Sequence, residues 1–205
     1  MKNRLEISDL SLAYGKRTIL EHISFTLAAG EAVALCGENG SGKTTLLTAA
    51  AGILRPTHGK IRRSGKVGYV PQSAALLEDM TFADNLRYFS AIARARVPQV
   101  LPLCADELRP MRVRDMSGGM KKLCSIVCTL VAAPDILLLD EPYAALDEAH
   151  AAMLTDYLGD FLQNGGSLLI AAHDADEYLP LTSRRLLLTD GSMREETLTR
   201  AKAPV

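Results

Sequence analysis

Apolar and polar positions alternate over residues 5–12 and again over 19–27, so that Leu5 and Ile7, then Ile23, Phe25 and Leu27, share one face of an extended chain. Tyr14-Gly15-Lys16 lies between the two runs and reads as a turn, which predicts an antiparallel pair at the start. The unbroken apolar run at 32–35 predicts a strand buried on both faces. A glycine-rich loop comes next, and then a helix from Lys43 that meets no breaker before Gly52. Two more short strands are expected within 61–70, on either side of Ser64-Gly65, with Pro71 closing the second.

From Thr81 the period lengthens to that of a helix, with Phe82, Leu86 and then Phe89 or Ile92 on one face. Pro98, Pro102 and Pro110 divide the next stretch, so a small helical insert is expected over roughly 74–133, ending in a second helix at 117–133. Ile136-Leu137-Leu138-Leu139 predicts another buried strand, which ends in Asp140-Glu141-Pro142. Met153, Leu154, Tyr157, Leu158, Phe161 and Leu162 line one helix face that Gly165-Gly166 stops. Strands at 167–172 and 185–189 complete an alternation of strands and helices, the mark of an α/β fold with a mostly parallel sheet.

Composition narrows the classes of function. The 205 residues suit one domain spanning 1–205, and 48% apolar with 23% charged residues is an ordinary globular balance. A formal net charge of −1 leaves no basic excess to neutralise a phosphate backbone, so no nucleic-acid partner is expected. Arg109, Arg112 and Arg114 read as a solvated face. Cys36, Cys104, Cys124 and Cys128 form no CxxC pair, which argues against a zinc site or a disulfide framework. The apolar stretch at 123–131 is too short to span a bilayer, and the N-terminus has no apolar segment of a secretory signal. These features point to a cytosolic location.

Gly37-Glu38-Asn39-Gly40-Ser41-Gly42-Lys43-Thr44 fits G-x-x-x-x-G-K-[ST] and sits between the apolar strand and the helix, where the motif works. Its glycines let successive backbone N–H groups turn toward phosphate oxygens, and the helix N-terminus adds partial positive charge. Lys43 is expected to reach the β- and γ-phosphates and Thr44 to hold Mg²⁺, with Thr45 among the further nucleotide contacts. Asp140 and Glu141 close a buried parallel strand at the edge where ligands bind in such sheets. Asp140 suits a contact to Mg²⁺, and Glu141 suits the orientation or deprotonation of an attacking water. His173 lies just beyond a second apolar strand; a lone histidine there reads more readily as structural than as a γ-phosphate contact.

With these motifs in this order, the chain resembles the ATP-binding cassette (ABC) family from Leu5 to about Asp190. The resemblance implies the ABC ATPase fold: a P-loop NTPase core, an antiparallel β subdomain and a small helical subdomain. It implies an ATPase using ATP and Mg²⁺. Tyr14 then matches the aromatic that stacks on adenine, and Gln72 the glutamine that senses Mg²⁺ and the membrane partner. Ser117-Gly118-Gly119 matches the signature that caps ATP held by a facing subunit, and Asp147 an interface residue of the same dimer. Glu141 matches the catalytic glutamate and His173 the family's histidine. The implied partners are an integral membrane permease subunit and a second, identical or similar ATPase subunit, at the inner face of the cell membrane. Met116 and Met120 replace the usual Leu and Gln of the signature, and Ser-Gly-Gly-Met-Lys-Lys is more similar to ABC-2 type exporters than to uptake systems. A soluble cassette ATPase in cytosolic assembly, such as iron–sulfur cluster biogenesis, is the other reading.

Overall fold

The computed structural model describes residues 2–172, 181–182 and 184–197. Its first two strands, β1 (Asn3–Tyr14) and β2 (Arg17–Ala28), pair antiparallel across the expected turn, and β4 (His58–Arg63) joins the free side of β1 to make a three-stranded sheet. The second sheet has the order β5-β6-β7-β3-β8-β9, built from β5 (Val67–Val70), β6 (Ile136–Asp140), β7 (Ser167–Ala171), β3 (Ala32–Gly37), β8 (Arg184–Thr189) and β9 (Ser192–Thr197). Its first five members run parallel and β9 returns antiparallel to β8. The fold is the expected α/β arrangement with a mostly parallel sheet.

Two features of the sheets go beyond the sequence reading. The strands on either side of Ser64-Gly65 are not neighbours, because β4 belongs to the antiparallel sheet and β5 is an edge of the parallel one. Strand β9 is an addition: Ser-Met-Arg-Glu-Glu-Thr carries one large apolar residue, and an edge strand needs little apolar alternation when its outward side chains are solvated. Arg184 and Arg185 of β8 pair across to Glu195 and Glu196 of β9 at 2.8 and 2.6 Å.

Helix α1 (Lys43–Ala51) is apolar around most of its circumference because it is wedged between the two sheets. Its Leu46, Leu47, Ala49 and Ala50 pack with Leu10, Leu12 and Leu20 of the antiparallel sheet and with Ile136 and Leu138 of β6. The opposite side of β6, through Leu137 and Leu139, faces the helices inserted between β5 and β6 and the later α4 (Glu148–Gln163). This alternation explains why β6 reads as a continuous apolar run. The insert holds α2 (Phe82–Ala93), capped by Thr81 and Asp84 in a reciprocal capping box, and α3 (Gly118–Leu130). Short 3-10 turns at Pro102–Leu108 and Val113–Asp115 occupy the proline-divided stretch between them. No helix among the described residues is long and apolar enough to cross a membrane.

Candidate functional site

Helices α2, α3 and α4 begin on side-chain caps, Thr81, Ser117 and Asp147, each accepting from a backbone N–H of the first turn. Helix α1 has none: its N-cap is Gly42 and no side chain bonds its first turn. Its leading amides are left for an external acceptor, the arrangement that binds anions at a helix start. Gly42 has φ 102°, a left-handed conformation that disfavours any residue with a Cβ, and that atom would lie 2.9 Å from Leu20.

These amides open into a cleft of about 460 Å³ lined by the loop residues Asn39, Gly40, Gly42, Lys43, Thr44 and Thr45, with Gln72 and Glu141 opposite. Lys43 is buried, and its Nζ donates to the carbonyls of Gly37 and Glu38 at 2.6 and 3.0 Å. Ser41 Oγ is buried with no hydrogen-bond partner among the described residues, so the loop carries an orphaned hydroxyl beside its curled backbone.

Across the loop, Thr44 Oγ1 donates to Asp140 Oδ2 at 2.7 Å. Asp140 ends β6 and is 1% exposed. Burial pushes its carboxyl above the usual range and the charge of Glu141 adds to this, while the Thr44 hydroxyl opposes it. Gln72 Nε2 donates to Glu141 Oε2 at 2.8 Å, so the side chains just past β5 and β6 meet at the strand ends. Glu141 adopts φ 47°, unusual for a residue with a side chain and of the order of ~1–3 kcal/mol in backbone strain. Strain of this kind concentrates where a side chain is aimed for a purpose. Thr44, Asp140, Gln72 and Glu141 together supply oxygens of the kind a hard divalent cation takes. Among the described residues no three His, Cys, Asp or Glu side chains cluster to cage a metal by themselves.

The other expected site residues lie elsewhere. Tyr14 is 56% exposed at the tip of the β1–β2 hairpin and is not among the residues lining the cleft. Arg17 and Ile19, on the returning strand, line it instead. Neither carried a sequence signal, since no motif marks a hairpin residue that folds over a loop more than twenty positions later. Ser117, Gly118 and Gly119 stand at the start of α3, outside the cleft of their own chain, and Ser117 Oγ accepts from Met120 N at 3.2 Å. Asp147 caps α4, accepting from His150 N at 2.9 Å, and its carboxyl is held below the usual range chiefly by that backbone bond. His173 lies outside the described residues; β7, which precedes it, sets Ala171 beside Asp140.

A contact hidden from sequence reading joins two of these segments. A Cβ on Gly119 would lie 2.6 Å from the Ala145 carbonyl oxygen, so the 144–147 loop rests directly against the start of α3. Gly119→Ala is expected to destabilise the fold by about 1–3 kcal/mol through overpacking, read as a lower midpoint in urea. An unchanged midpoint would mean that the loop gives way freely.

A family model described as ABC transporter matches residues 20–144. The chain is similar to the Nod factor export ATP-binding protein I of Paraburkholderia xenovorans, 34% identical over 91% of this chain and 68% of that protein. It is also similar to the zinc import ATP-binding protein ZnuC of Roseobacter denitrificans, 33% identical over 90% of this chain and 74% of that one. A solved structure of the ATP binding subunit of an ABC transporter superposes with a TM-score of 0.83 at 27% identity, covering 95% of this chain and 90% of its own.

Proposed function

The chain belongs to the ABC transporter family as an ATP-binding subunit with ATPase activity, and from that premise we propose that it energises a membrane permease formed by another polypeptide. The observation that carries the site assignment is the uncapped start of α1 facing the Gln72–Glu141 hydrogen bond across one cleft. ATP lies with its phosphates on the amides of residues 40–45, and Lys43 exchanges loop carbonyls for phosphate oxygens. Thr44, Asp140 and Gln72 hold Mg²⁺, which supplies neutralisation of the charge developing on the transferred phosphoryl group. Glu141 orients or deprotonates the attacking water, assisted by His173. Tyr14 stacks on the adenine.

Ser117, Gly118, Gly119 and Asp147 act in trans. Their place outside the chain's own cleft supports a dimer, with an identical or a similar subunit, in which each ATP is capped by the facing copy. Contacts made only in the closed pair give ATP its differential affinity for closure, and hydrolysis removes it. Gln72 follows β5, touches Glu141 just past β6 and leads into the helical insert, the route by which closure reaches a permease at the inner membrane face. The names of both relatives describe transport, which favours this role over cytosolic assembly. The export relative is 34% and the import relative 33% identical to the chain, so the direction rests on Ser-Gly-Gly-Met-Lys-Lys, which favours export.

Capture of the chain from detergent-solubilised membranes is expected to bring down one integral membrane protein in fixed ratio, and reconstitution with that protein should raise ATPase activity. Recovery of soluble partners alone, with no effect of a membrane protein on turnover, would sink the transport reading.

A further inference from the structure

Two lysines come after the Ser117-Gly118-Gly119 segment and meet different fates. Lys121 sits at the surface and pairs with Glu78 at 2.9 Å. Lys122 is 4% exposed. A buried ammonium is costly unless each of its protons finds an acceptor, so its surroundings are informative. Lys122 Nζ donates to Gln72 O at 2.6 Å, to Pro71 O at 3.1 Å and to Asp140 O at 3.4 Å. Three donors thus meet three main-chain carbonyls. Burial pulls the ammonium below the usual lysine range, while the charges of Asp140 and Glu141 act in the opposite sense and favour the charged form.

The three carbonyls belong to the ends of two neighbouring parallel strands, β5 and β6. One leads to Gln72, whose side chain holds Glu141, and the other carries Asp140 and Glu141. The ammonium itself comes from α3, one turn beyond Ser117. Lys122 is absent from the residues lining the nucleotide cleft.

We propose that Lys122 is a positioning residue for ATP hydrolysis, an internal strut that fixes the Gln72 main chain against the Asp140–Glu141 strand end and ties both to the helix bearing Ser117. This rests on the roles proposed above for Gln72 and Glu141. Any shift of α3 as two subunits close is then carried by one ammonium to the pair of side chains that manages water.

The test is a kinetic cycle on the purified full chain, with ATP affinity measured separately from turnover. K122M keeps the length of the stem and removes all three donors. Its Kd for ATP should stay within about twofold of the parent, while kcat falls about 10- to 100-fold, the scale of a small misplacement of catalytic groups. Q72A should lower kcat as well. Because both changes disturb one unit, K122M introduced into the Q72A background should cost no more than about a further twofold. Should K122M fail to accumulate as folded protein, K122Q serves in its place. Its neutral, shorter amide does not span all three carbonyls, and the same loss with the same dependence on Gln72 is expected. Turnover at the parent rate in the folded variant, a parallel loss of ATP affinity, or a loss that multiplies fully with that of Q72A overturns the proposal. An inert Q72A overturns the reading of Gln72 and this inference with it. A defective Q72A beside an inert Lys122 variant overturns this inference alone.

Discussion

Glu141→Gln is expected to reduce ATP turnover by about 10²–10⁴-fold, the range attributable to a lost general base, while leaving ATP bound. The substitution is nearly isosteric and its amide retains an oxygen to accept from Gln72 Nε2, so the contact between β5 and β6 that measures 2.8 Å in the parent has no steric reason to break. What disappears is the capacity to take a proton. A protein that binds but does not hydrolyse should accumulate in the closed, two-subunit state. Size-exclusion chromatography in the presence of ATP and Mg²⁺ should show a species of twice the mass, absent without nucleotide. Undiminished phosphate release by the variant would remove Glu141 from the chemistry.

Lys43→Ala is expected to act one step earlier, on binding. Hydrogen bonds made by a charged donor contribute about 1.5–3 kcal/mol, so Kd for ATP should rise about 10- to 100-fold. Lys43 is 7% exposed and bonds its own loop at Gly37 and Glu38, so the variant loop also loses an internal brace. The two effects separate in a thermal melt. Loss of the brace lowers Tm with or without nucleotide, whereas the lost phosphate contact removes the rise in Tm that ATP gives the parent by mass action. An undiminished ATP-induced rise would contradict the role given to Lys43.

The features legible in the sequence are those whose chemistry is local. The phosphate loop occupies eight consecutive positions, and the Ile136–Asp140 strand announces itself by four apolar residues before an acid. The two strands that flank the sheet's function, β3 and β6, are buried on both faces and so spell unbroken apolar runs. Features that depend on distant partners are silent. Nothing near Lys122 says that its stem turns inward while that of Lys121 turns out, because the acceptors lie about 50 residues earlier and 18 later. The separation of β4 from β5 into different sheets is hidden for the same reason, a short turn between strands being the usual sign of a hairpin. Arg17 and Ile19 gain their place on the cleft only when the hairpin folds over the loop. Glu141 is legible from its place beside Asp140 at a strand end, but the left-handed turn that aims it is a property of the backbone alone.

Strand β9 closes one rim of the parallel sheet with Arg194, Glu195 and Glu196, and the opposite rim is only the four residues of Val67–Val70. Short or charged borders discourage a second molecule from extending the ladder by main-chain pairing. In the dimer proposed above, two copies that meet face to face over ATP are therefore spared a permanent seam between their sheets, and their embrace lasts as long as the triphosphate does. For a machine that must let go once per cycle, a border that refuses to zip is as useful as a site that grips.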